Sequence, residues 1–144
     1  MEIQIITKQL QLEVFGFSGT AINKQYATKV FELMDKMWKL VKGNQLKNKG
    51  KNIWVYDAND MVFAGVELEE GENGNGLEKT SIHLTRYAYF KHIGPYQLIQ
   101  QSGQKMNSEL IEKGLRTNSP YIEIYGHWTA DESKLETELI VNLM

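Results

Sequence analysis

The chain has 144 residues, of which 42% are hydrophobic and 24% charged, the proportions of an ordinary folded domain, so disordered and fibrous classes are excluded. Its 16 basic and 18 acidic residues leave a net charge of −2, which offers no footprint for gripping a phosphate backbone. With no cysteine at all, disulfides, thiol nucleophiles and thiolate metal sites are excluded as well.

In chain order, Leu10 to Phe17 alternates as a strand, with Leu10, Leu12 and Val14 on one face. Gly16, Gly19 and Thr20 are expected to break it. A helix follows, capped by Thr20 or Asn23, whose short polar side chains accept from orphan amide groups. Ile22, Tyr26, Val30, Met34, Met37, Trp38 and Val41 recur at helical spacing and make one broad stripe. Gly43-Asn44 ends the helix, and a Lys/Asn-rich loop runs to Lys51. The lysines at 36, 39, 42, 47, 49 and 51 read as a solvated helix end and loop. Asn52 to Asp57 and Met61 to Leu68 are strands joined by a turn at Ala58-Asn59-Asp60.

An acidic, glycine-rich linker from Glu69 to Gly76 has nothing to bury. After it the same order returns. His83 to Lys91 is a strand, and Pro95 to Lys113 a helix opened by Gly94-Pro95 and stopped at Gly114. Ile99, Met106 and Leu110 form that helix's buried stripe, while Ser102 and Gly103 leave room for a close neighbour. Tyr121 to Tyr125 and Leu135 to Leu143 complete the series as strands. The expected fold is α+β: two β-α-β-β units, about residues 1–70 and 77–144, forming an antiparallel sheet with two helices. A pseudo-twofold would relate the units, with a ligand groove between the halves.

Alternation along Tyr121-Ile122-Glu123-Ile124-Tyr125 puts Ile122 and Ile124 on one face and Tyr121, Glu123 and Tyr125 on the other. The same period puts Ile53 and Val55 opposite Trp54 and Tyr56. We expect the helices to cover the isoleucine and valine face. If the two strands are neighbours, Trp54, Tyr56, Tyr121 and Tyr125 frame the carboxylate of Glu123 on the other side. Aromatic faces around a carboxylate attract a large, flat, weakly hydrated cation, at ~0.5–2 kcal/mol per ring. The same pattern also fits a solvated, tyrosine-rich face carrying an ordinary glutamate.

These segments resemble GyrI-like small-molecule-binding domains, the effector-binding domains of multidrug-responsive transcription activators. The resemblance is carried by Tyr89-Phe90-Lys91-His92-Ile93-Gly94-Pro95-Tyr96, by Tyr121 to Tyr125 and by Leu135 to Val141. In the first half it is carried by Val14 to Thr20, Met37-Trp38 and Trp54-Val55-Tyr56. The family likeness implies a duplicated strand-helix-strand-strand fold with a ligand groove, and an acidic residue for cationic drugs at Glu123. It implies a protein partner too, either a separate DNA-binding regulator or gyrase.

Other side chains are weighed against blander roles. Tyr89, its neighbour Tyr87 and Phe63 either line the groove or serve as core or surface aromatics, and Trp38 shares the core stripe of the first helix. Glu138 reads as a solvated edge residue, and His92 as a residue packing the Gly94-Pro95 turn. His83, His92 and His127 are too far apart for a local metal pair, and no cofactor signature stands. No segment approaches the ~18 apolar residues of a membrane span. Met1-Glu2-Ile3-Gln4 opens no export signal, so the expected location is the cytoplasm. The expected function is a sensor or sequestering module for amphipathic cationic aromatic compounds, without direct nucleic-acid or membrane contact. Two alternatives follow from the resemblance: a hydrolase of strained electrophiles with Glu123 as base and Tyr125 as proton donor, and a gyrase inhibitor.

Overall fold

Eight strands and two helices form in the computed structural model, which describes residues Met1–Met144. The first half contains β1 (Gln4–Ile6), β2 (Leu10–Thr20), α1 (Tyr26–Gly43), β3 (Asn52–Tyr56) and β4 (Met61–Val66). The second contains β5 (Glu78–Leu84), β6 (Tyr87–Ile93), α2 (Ile99–Glu112), β7 (Thr117–Tyr125) and β8 (Glu136–Leu143). All join one sheet in the order β1-β6-β8-β7-β3-β4-β2-β5, with every pair antiparallel. Exchanging β1–β4 for β5–β8 turns this order into its own reverse, the arrangement of a pseudo-twofold axis between β3 and β7.

The sheet has to curl. Only Thr7, Lys8 and Gln9 link β1 to β2, yet these strands lie six places apart in the sheet order. In a flat sheet that separation is about 29 Å, whereas four Cα steps reach at most about 15 Å. Thr85-Arg86 imposes the same demand between β5 and β6. The sheet ends therefore fold towards each other. Gly16 and Gly65 face one another across β2 and β4. A Cβ at Gly65 would meet the Phe15 carbonyl oxygen at 2.5 Å, so the close approach needs glycine.

Packing on the two faces inverts one expectation. Val30, Leu33, Met37 and Val41 of α1 pack on Phe17, Trp54, Val62, Ala64 and Val66. Ile99, Met106 and Leu110 of α2 pack on Ala88, Leu139 and Leu143. Ile53, Val55 and Ile122 instead join Val14, Phe63, Ile82, Leu84, Tyr87 and Ile140 in a core without helix residues. The helices thus cover the face of Trp54 and Tyr56, not that of Ile53 and Val55. Alternation fixes which residues share a face; the crossover connections and the curl decide which face the helices take. The curled ends close the aliphatic face by packing it on itself.

Several boundaries also move. β2 continues through Gly16 and Gly19 to Thr20, because Gly16 has a glycine partner rather than a break. Neither Thr20 nor Asn23 caps α1: its N-cap is Gln25, without a side-chain cap bond. Thr20 instead lies beside Met61, and Asn23 adopts φ 54° inside a 3-10 turn, Ile22–Lys24. The expected strand from His83 to Lys91 is two strands, β5 and β6, and β1 went unforeseen. The approach to α2 is a 3-10 turn at Tyr96–Leu98, and Gly114 takes the expected left-handed conformation at φ 72°. No helix is long and apolar enough to cross a membrane.

Candidate functional site

β3 and β7 are the two central strands and pair directly, with Trp54 opposite Glu123 and Tyr56 opposite Tyr121. Paired residues and those two apart share a face. Trp54, Tyr56, Tyr121, Glu123 and Tyr125 therefore stand together on the helix side, between α1 and α2. There they floor an open groove of about 1050 Å³. One wall is the start of α1, from Tyr26 to Thr28; the other is α2, through Ile99, Gly103 and Asn107. A bulge in the β7–β8 pairing between Asn118 and Tyr121 contains Pro120, which has no N–H for a ladder bond.

At the centre Glu123 is only 7% exposed. Its Oε1 accepts from the hydroxyls of Tyr125 at 2.8 Å and Tyr56 at 3.2 Å, and its Oε2 accepts from Tyr121 at 2.8 Å. No ion pair in the protein includes Glu123. The rings around it interlock. Tyr56 and Tyr121 stack at 5.6 Å between centroids, and Trp54 lies 4.6 Å from Tyr125. Phe31 meets Trp54 edge-on and Tyr96 meets Tyr125 edge-on, while Tyr26 extends the row beyond Tyr56 and donates to Asp60. The result is a carboxylate held by neutral donors, set among aromatic rings and lacking a positive partner.

Burial pushes the phenols of Tyr56, Tyr121 and Tyr125 well above the usual tyrosine range, and the Glu123 charge and its hydrogen bonds push them further. They therefore remain protonated donors wherever the fold persists. Unfolded tyrosines lose their protons near pH 10, while these three keep theirs in the folded state. Their contribution is thus complete below about pH 10, and stability falls as pH rises beyond it. In an alkaline titration, phenolate absorption from these three should appear only as the near-UV circular dichroism of the fold is lost. Their ionisation in the folded protein would contradict the hydrogen-bonded arrangement.

The structure brings together Glu123, Tyr121, Tyr125, Trp54 and Tyr56, and leaves the other expected residues outside the groove. Phe63 is buried in the helix-free core, and Tyr89 packs against that core. Both occupy the opposite parity on their strands. The Tyr89 hydroxyl donates to Glu138 at 2.7 Å, so Glu138 has a tyrosine partner rather than only solvent. Trp38 packs beside the α1 core, and its indole N–H donates to Asn52 at 2.7 Å. His92 ties the turn, with Nδ1 2.8 Å from the Ser102 hydroxyl and Nε2 3.1 Å from the Pro95 carbonyl. Sequence reasoning missed Tyr26 and Tyr96 as wall residues. Each stands at the entry to its half's helix, and reading the two halves against each other would have singled out both. No group of three or more His, Asp or Glu side chains converges as a metal site.

Comparison with known proteins gives the family and the fold. A family model described as GyrI-like small molecule binding domain matches residues 1–144. No curated protein sequence is significantly similar. Among solved structures, SAV2435 bound to tetraphenylphosphonium is 18% identical, with a TM-score of 0.70 over 100% of this chain and 94% of that one. The EcmrR C-terminal domain is 15% identical, with a TM-score of 0.71 over 100% and 99%. A hydrolase from Listeria innocua is 12% identical, with a TM-score of 0.58 over 99% and 92%. At these identities the structural likeness shows a shared fold.

Proposed function

We propose that this chain, which belongs to the GyrI-like small-molecule-binding domain family, takes a flat, amphipathic aromatic cation into the groove over β3 and β7. Its role is that of a cytoplasmic sensor or sequestering module. The observation that carries the reading is Glu123: a carboxylate 7% exposed, bonded to three tyrosine hydroxyls and paired with no cation. A buried charge is costly unless paired, and a cationic ligand supplies the missing partner while its rings stack on the tyrosine faces. The tetraphenylphosphonium bound by SAV2435, a protein of the same fold, is likewise an aromatic cation, though its four rings surround a tetrahedral phosphorus and it is not flat.

Titration with 9-aminoacridinium, a planar cation, and with acridone, a neutral ring system of similar shape, tests the reading. The cation should bind at least about tenfold more tightly, quench tryptophan fluorescence through Trp54 and be recovered unchanged. Equal affinity for the two compounds would refute a charge-selective groove. Conversion of ligand to product under excess ligand would favour the hydrolase alternative, in which Glu123 activates water and Tyr125 donates a proton.

A further inference from the structure

The groove's floor and its α2 wall differ in chemistry, while the α1 side adds Lys24, Gln25 and Thr28. The floor is aromatic and anionic, whereas α2 turns only neutral residues towards the groove, among them Gln100, Gln104 and Asn107. The charged residues Lys105, Glu109 and Glu112 lie on the other flank of α2, lining a separate depression with His92. Gln104 borders both. Gln100 and Asn107 are two helical turns apart, roughly 10 Å along the axis, and make no side-chain hydrogen bond with the protein, unlike the neighbouring Ser102 and Tyr121. Between them sits Gly103, where a Cβ would lie 3.6 Å from the Tyr121 hydroxyl oxygen. That hydroxyl itself donates to Glu123. The row of free amides therefore passes directly beside the carboxylate cluster. Thr117, Asn118 and Ser119 of β7 continue the neutral polar lining. At about 1050 Å³, the groove stands at the upper end of the sizes that hold drug-like molecules, with room beyond a single flat ring system.

We propose that the ligand of this groove has two parts: an aromatic cation over Glu123 and its tyrosines, and a neutral hydroxyl- or amide-bearing arm lying along α2. The inference rests on the cation-binding reading above and names the ligand class more closely. A primary amide carries two donors and an acceptor, so Gln100 and Asn107 pair with hydroxyl or amide groups of either polarity. An alkyl arm in the same place would take water from both amides and return no hydrogen bond.

Three cations test this on the full chain by calorimetric titration: 9-aminoacridinium itself, its N-hexyl derivative and its N-(1-deoxyglucityl) derivative, which has the same chain length with hydroxyl groups. The glucityl compound should bind about fivefold more tightly than the hexyl compound, the worth of one or two net hydrogen bonds. The double variant Gln100→Leu/Asn107→Leu should reverse that order, each affinity being taken relative to that of the unsubstituted cation for the same variant. Both sites are exposed helix positions where leucine is well tolerated, and circular dichroism checks that the fold is kept. A tighter or equal hexyl compound in the original chain, or an unchanged ratio in the double variant, would overturn the polar arm while leaving the cation site standing. Failure of the unsubstituted cation to bind, or binding indifferent to Glu123→Gln, would remove the cation reading and this inference with it.

Discussion

Glu123→Gln should weaken 9-aminoacridinium binding about 100-fold, the loss expected when one partner of a desolvated charge pair is removed. Acridone, which has no charge to neutralise, should change by less than about threefold. The substitution keeps the shape and one acceptor oxygen, and exchanges the other oxygen and the charge for an amide nitrogen. The new amide nitrogen becomes a donor, so one of the surrounding hydroxyls must turn to accept from it. A phenol does so by rotating its O–H. The rings of Tyr56, Tyr121, Tyr125 and Trp54, held by their own packing, stay in place. Aromatic burial therefore continues to bind both compounds, and only the electrostatic preference is lost. Parallel weakening of cation and neutral compound would mean that Glu123 acts by shaping the groove.

The charge matters because nothing inside the protein answers it. Three hydroxyl groups orient the carboxylate and satisfy most of its lone pairs, which keeps it tolerable in a site only 7% exposed. They do not neutralise it. A lysine or arginine in their place would have made a closed structural ion pair with little left to offer a ligand. Tyrosine provides hydrogen bonds at its tip and an apolar face for stacking, so in the proposed role the same side chains would hold the carboxylate and receive the ligand.

Period-2 alternation in β3 and β7 put five of the floor residues on one surface, because alternation within a strand is local. Reading the chain as two matched halves made the adjacency of these strands a condition only; the structure supplies it, with Trp54 opposite Glu123. The side on which the helices lie was not available from either pattern. Ile122 and Ile124 look like residues awaiting a helix, yet Ile122 is buried under the sheet's own folded ends. That closure depends on the short links at Thr7–Gln9 and Thr85-Arg86, whose consequence appears only once the strand order is known. Phe63 and Tyr89 were drawn towards the groove for their aromatic character alone, but pairing sends them to the other face: Phe63 sits opposite Val55, and Tyr89 opposite Ile140. Tyr26 falls on the α1 stripe and does pack beside the α1 core, while its hydroxyl donates to Asp60 and the residue also lines the groove.

Ile122→Ala should destabilise the protein by about 3–4 kcal/mol, as loss of a buried isoleucine leaves a cavity that rigid neighbours do not fill. For a chain of this size that lowers Tm by roughly 10 °C. Ile122 is fully buried and lies between Val55 of β3 and Ile140 of β8 at the middle of the sheet. The adjacent change Tyr121→Phe, one residue along the same strand but on the groove face, removes one hydroxyl bond to the Glu123 carboxylate and should cost about 2 kcal/mol. Thermal unfolding of the two variants measures the difference, and titration below their midpoints measures what each does to the ligand. Ile122→Ala should retain the preference for cation over neutral compound, because the aliphatic face and the groove share a backbone but no side chains. A loss under about 1 kcal/mol would mean that the helix-free face is not a closed core. Loss of the cation preference in folded Ile122→Ala would mean that the floor of the groove depends on the packing beneath it, and that the two faces of the sheet act as one.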